Sequence, residues 1–111
     1  MLSKESLISL REELIEKLEK IPGLEDRPSK VAGGSAIFFR NKEIAHFHHD
    51  NEIDLRLSKK LIKSEKLIHP KDSKVHSGRS PTSNWIELRF KTKKDIDNIV
   101  RLFRLAIEAG I

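Results

Sequence analysis

Glu43-Ile44-Ala45-His46-Phe47-His48-His49-Asp50-Asn51-Glu52-Ile53-Asp54-Leu55-Arg56-Leu57 decides the fold, because the turn inside it can be drawn in two registers. Residues 52–57 alternate polar and apolar at every position, the pattern of a half-buried strand. A two-residue loop of Asp50-Asn51 pairs His49 with Glu52 and sets His46 opposite Leu55, mixing apolar and charged groups on both faces. A three-residue loop, His49-Asp50-Asn51, pairs His48 with Glu52 and His46 with Asp54. It places Asn51 in the left-handed position of a type I turn with a bulge, which Asn tolerates well. In that register Ala36, Phe38, Ala45, Phe47, Ile53, Leu55 and Leu57 share an uninterrupted apolar face. The opposite face carries Ile37, Phe39, Ile44, His46, His48, Glu52, Asp54 and Arg56. A slip of one residue reverses every side chain, so this partition selects the three-residue loop.

Working outward, residues 36–40 and 43–48 form a hairpin about Asn41-Lys42, where Asn accepts positive φ. Residues 24–31 read as extended, since Pro28 biases Arg27 away from helix. Gly33-Gly34 marks a turn. Upstream, Leu7, Leu10, Leu14 and Leu18 follow the helical period over residues 3–20, with Ser3 as N-cap and Pro22-Gly23 as the stop. Downstream, Ser58 caps a short helix to about residue 67, with Leu61 and Ile62 inward. Residues 69–84 form a long polar loop. Residues 85–90 alternate again, placing Ile86, Leu88 and Phe90 in the core and Trp85, Glu87 and Arg89 on the histidine face. Thr92-x-x-Asp95 opens a last helix through residue 109 as a capping box, with Ile96, Ile99, Val100, Phe103 and Ile107 inward and Gly110 at its end. The order α-β-β-β-β-α-β-α, with tight turns between strands, predicts an α+β domain: an antiparallel sheet of four to five strands with helices on one face.

The 111 residues suit one domain with a modest core, residues 1–111. With no cysteine, neither a disulfide framework nor a thiolate metal site is possible. No apolar run approaches a membrane span and no signal-peptide core is evident, so the expected compartment is the cytoplasm. The net charge is +5, yet acidic residues are interspersed with basic ones almost throughout, which argues against nucleic acid. The exception is residues 59–79, where Lys59, Lys60, Lys63, Lys66, Lys71, Lys74 and Arg79 outnumber Glu65 and Asp72. The plain reading is a solvated face and loop. Oligomeric state is not encoded in any of these features.

Three of five histidines fall within residues 46–49, and alternation aims His46 and His48 to one side. With Asp54 they can form a facial metal site for iron or zinc, which His76 or His69 from the long loop could extend. The same groups can instead do metal-free acid–base chemistry or hold a ligand. Asp54 would then raise the basicity of His46 and fix its tautomer, leaving its other nitrogen for a substrate. In that reading no cofactor is needed, His48 and His76 are further catalytic candidates, and Phe39, Ile44 and Trp85 wall a small apolar or aromatic ligand. Arg79 and Arg56 are the cationic contacts, and loop 69–84 closes over the face. A third reading is a non-catalytic module for a partner or polyanion. It is the weakest, because exposed aromatics for stacking bases are few. His49 belongs to the turn.

The run Lys42-Glu43-Ile44-Ala45-His46-Phe47-His48, then Asp50 and Ile53-Asp54-Leu55, a short Lys-rich helix, His76 and Pro81-Thr82-Ser83-Asn84-Trp85 resembles the luciferase domain family. These are small prokaryotic domains named for similarity to fungal luciferase. The resemblance spans roughly residues 21–109. The family often has Gly where this chain has His49, Asn51 and Asn84. Asn keeps the tolerance of positive φ, whereas His at position 49 does not follow from that logic. The resemblance implies chemistry compatible with deprotonating a hydroxypyrone-like substrate without an organic cofactor. It implies nothing about light emission.

Overall fold

Alternating runs fold as strands and apolar stripes as helices in the computed structural model, which describes residues 3–29, 34–49, 51–73, 79–80 and 82–111. The elements are α1 (Ser3–Glu19), β1 (Leu24–Pro28), β2 (Ser35–Phe39), β3 (Lys42–His48), β4 (Glu52–Arg56), α2 (Lys59–Ser64), β5 (Trp85–Arg89) and α3 (Lys93–Glu108). The fold is α+β with the expected element order. All five strands are antiparallel and lie in the order β1-β2-β3-β4-β5, so each pairs with its predecessor in the chain. Edge strand β1 carries Glu25, Asp26, Arg27 and Pro28, which discourage pairing with another sheet. Among the described residues no helix is long and apolar enough to cross a membrane.

The helices start and stop where side-chain chemistry permits. Thr92 Oγ1 accepts from the Asp95 N–H, and Asp95 Oδ2 accepts from the Thr92 N–H, each at 3.2 Å. This reciprocal box satisfies two of the first-turn amides of α3. Ser58 accepts from the Leu61 N–H at 3.2 Å and caps α2. That helix ends at Ser64, three residues short of the expected boundary, as Lys66 turns left-handed at φ 57°. After α1, Gly23 has φ 92°, and a Cβ there would lie 2.9 Å from the Phe39 ring. Only glycine meets both demands.

The β3–β4 register is the one selected from the sequence: His46 pairs with Asp54 and His48 with Glu52. Among the described residues of that turn the left-handed one is His49, at φ 58°, and not Asn51. Asn51 instead continues the ladder, its carbonyl accepting from the Phe90 N–H at 3.0 Å. Asp50 lies outside the described residues.

The β2–β3 hairpin departs from expectation twice. Its loop is Arg40-Asn41, with φ 48° and 75°, one residue earlier than Asn41-Lys42. Positive φ at both central positions gives the twist that suits a two-residue hairpin. More consequentially, Ile37 opposes Ala45 while Phe38 opposes Glu43. Ile44 is therefore an extra residue, and the strand bulges with Ile44 and Ala45 both facing the core. Ile37 and Phe39 accompany them on the core side. Ala36 and Phe38 turn to the histidine face, the reverse of simple alternation.

The helices cover the other side of the sheet. Leu14 and Leu18 of α1, Ile62 of α2, and Ile96, Ile99, Leu102, Phe103 and Ala106 of α3 form one core with Ile37, Ile44, Ala45, Phe47, Ile53, Leu55, Ile86 and Phe90. Val100 and Ile107, expected inward, are only partly buried. The Lys17 ammonium contacts Asp97 at 2.9 Å and ties α1 to α3 at the surface.

Candidate functional site on the polar sheet face

Register brings one residue from each strand into a lateral row: Arg27, Ala36, His46, Asp54 and Glu87. Asp54 and Glu87 are only 1% and 3% exposed. Two like charges paired across strands destabilise a sheet unless compensated. Here each carboxylate has its own cation. Arg79 donates from Nη1 to Asp54 Oδ1 at 2.6 Å and from Nη2 to Oδ2 at 3.0 Å, a bidentate clamp. Glu87 accepts from the Ser73 hydroxyl at 2.6 Å, and from Arg89 Nε and Nη2 at 3.3 and 3.2 Å. Arg89 also reaches Asp72 at 2.9 Å. Two anchors from the long loop, Ser73 and Arg79, are thus fastened to the face through buried carboxylates.

His46 sits between two acids. Its Nε2 is 3.4 Å from Asp54 Oδ2 and its Nδ1 is 3.3 Å from Glu43 Oε2. The Asp54 carboxylate, more than any other group, raises the His46 pKa above its ordinary value against the opposing effect of burial. The nitrogen expected to remain available for a substrate is instead covered by Glu43. Glu43 in turn accepts from the Ser29 hydroxyl at 2.9 and 3.0 Å. His48 lies edge-on to His46, centroids 4.9 Å apart and planes at 84°. Burial first, and then the neighbouring His46, push the His48 pKa down. The Trp85 ring lies 5.4 Å from His46 at a tilt of 34°.

Of the residues singled out in the sequence, the face brings together His46, His48, Asp54, Trp85 and Arg79. Arg56 pairs with Trp85 across the strands and lines a small hollow of about 210 Å³ with Ser58 and Asn84. Phe39 and Ile44 do not wall this site. The bulge turns both to the helix side, where Ile44 is fully buried. His76 lies outside the described residues. Glu43 and Ser73 were not anticipated, and Glu87, expected on this face, was not expected to pair with Asp54 or to hold Ser73. Unbroken alternation would have set Glu43 beside Ala45 in the core, and that misfit was the available signal of a bulge. Ser73 and Glu87 join through the loop, which no periodicity encodes.

His46, His48 and Asp54 can each offer one donor atom, all within 4.8 Å of one another. As arranged, they suit a divalent metal poorly. The Arg79 guanidinium fixes a positive charge on both Asp54 oxygens, and the two acids favour a protonated His46. A metal ligand must be neutral imidazole or free carboxylate.

The chain matches the luciferase domain family over residues 41–106, and it belongs to that family. The match starts at the β2–β3 turn, later than the resemblance suggested, and takes in His46, His48, Asp54, Arg79 and Trp85. No curated protein matches the chain.

Proposed function

We propose that the polar sheet face binds a small, planar, weakly acidic molecule and exchanges a proton with it through His48, without a metal. What carries this reading is a pair of imidazoles in edge contact whose environments push them in opposite directions. Such divergence separates a proton-holding group from a proton-accepting one. His46, held between Asp54 and Glu43, keeps its proton. Neutral His48 accepts one from an enol or phenol hydroxyl, and the oxygen left behind takes the negative charge beside the His46 and Arg79 cations. The half-buried Trp85 supplies a flat apolar wall. Membership of the luciferase domain family agrees with a hydroxylated aromatic ligand, as a fold-level association only.

Calorimetry with hydroxypyrones and phenols, in buffers of differing ionisation enthalpy, tests the proposal. A ligand that binds in its neutral form is expected to exchange no net proton with the buffer, its proton passing to His48. In His48→Gln it should release that proton to the buffer or fail to bind, and affinity should fall at least tenfold in Trp85→Ala. Unchanged binding in both variants would overturn it. So would stoichiometric iron or zinc in untagged protein that is lost on His46→Ala, the result favoured by the clustering of the three donor groups.

A further inference from the structure

Away from the sheet face, α2 and the start of the long loop enclose a groove of about 690 Å³. This falls within the range that takes small organic ligands. Its wall is apolar, from Ile62, Leu67 and Ile68. Ile68 is 80% exposed, the one large hydrophobic side chain left in solvent among the described residues. Lys59, Lys60 and Lys63 stand along the groove. None of the three is ion-paired among the described residues, and no carboxylate lines the groove with them. His69 also lines it, with both ring nitrogens shielded from solvent and without a hydrogen-bond partner among the described residues. A shielded ring N–H with no acceptor costs free energy that a ligand oxygen would recover.

We propose that this groove binds a single-chain carboxylate amphiphile of the fatty-acid class. The lysine ammonium groups take the anionic head, Ile62, Leu67 and Ile68 take the hydrocarbon chain, and the His69 N–H donates to a carboxylate oxygen. The match is one of charge and polarity together: a row of lysines, unpaired among the described residues, beside an apolar wall suits an anion that carries its own apolar surface. A simple inorganic anion would leave Ile68 in water, and a neutral hydrocarbon would leave the lysines and His69 unanswered.

Titration of the whole chain with dodecanoate, below its critical micelle concentration, tests this by NMR. Saturable one-to-one shifts are expected at the Ile62 and Ile68 methyls and the His69 ring, with the His46, His48 and Trp85 signals still. Lys59→Gln/Lys60→Gln/Lys63→Gln is expected to weaken dodecanoate at least tenfold, and Ile68→Asp to abolish it. His69→Ala, at a half-buried position, should weaken binding without unfolding the chain, as circular dichroism can verify. Equal binding of dodecyltrimethylammonium would reveal a merely greasy surface and overturn the proposal. Shifts confined to the sheet face, or a groove that takes an acidic amphipathic peptide but not dodecanoate, would also overturn it.

Discussion

At the scale of single residues, the two contacting histidines make opposite demands on pH. His46 is more basic folded than unfolded, so its stabilisation is complete below its ordinary value of 6.5. It is lost as pH rises through the raised folded value. His48 is less basic folded. Its contribution is complete above 6.5 and is lost as pH falls toward the lowered folded value. Ring-proton NMR should therefore show His46 titrating above 6.5 and His48 below it. Asp54→Asn should lower His46 and narrow the gap. Coincident titrations in the parent protein would contradict the burial and pairing that separate them. His49 offers a second test. A left-handed conformation costs a non-glycine residue roughly 1–2 kcal/mol, and glycine's extra chain entropy returns part of that. His49→Gly should accordingly stabilise by up to about 1 kcal/mol in urea denaturation. The Arg11 hydrogen bond to the His49 carbonyl, 2.9 Å, involves no side-chain atom of His49 and should persist.

At the scale of elements, the β3 bulge decides which residues reach the site and which support it. Ile44, which plain alternation sends to the histidine face, is fully buried in the core. Ile44→Ala should cost about 2–5 kcal/mol, the range for truncation of a buried aliphatic, read as a fall in the denaturation midpoint. A cost below about 0.5 kcal/mol would place it on the half-covered face after all. Phe38 shows the converse: it lies on the histidine face, with the Arg27 guanidinium 5.0 Å from its ring centre. The contrast explains what was legible in advance. Strand alternation in residues 52–57, the His48–Glu52 register of the β3–β4 turn, and the Thr92 and Ser58 caps are local rules, and each held, although the face assignment of β2 and of Ile44 did not. A bulge is invisible to a period of two, because it inserts one residue without changing the composition on either side. Only Glu43, a charge at an apolar position, hinted at it. The Arg79–Asp54 clamp and the Ser73–Glu87 bond join residues far apart in sequence, across a loop whose path follows from no periodicity. Arg79 was legible as a cation near the face, but its partner was not.

For the molecule as a whole, Ser73 and Arg79 of the long loop are fastened to the polar face through carboxylates that water barely reaches. Removing one member of a buried ion pair typically costs 3–5 kcal/mol. Arg79→Ala should accordingly destabilise by about 3 kcal/mol, and Asp54→Asn/Arg79→Met should recover much of that loss. Thermal melts of the single and double variants measure it, and additive losses would mean the two groups are not coupled. The meander has a consequence in time. Pairings β1–β2, β2–β3 and β3–β4 close over short loops, whereas β5 must return across residues 57–84 to reach β4. Loop closure of that length is paid before its contacts reward it. Assembly should begin at the β3–β4 turn and finish when β5 and α3 dock. Ile53→Val should then slow refolding, while Ile99→Val should chiefly speed unfolding, in stopped-flow chevrons; the opposite assignment would show that α3 belongs to the nucleus. On a ribosome the first four strands emerge before β5 exists. The histidines are set in register early, and Glu87, Trp85 and the cation that clamps Asp54 arrive last, so the site is finished by the final third of the chain.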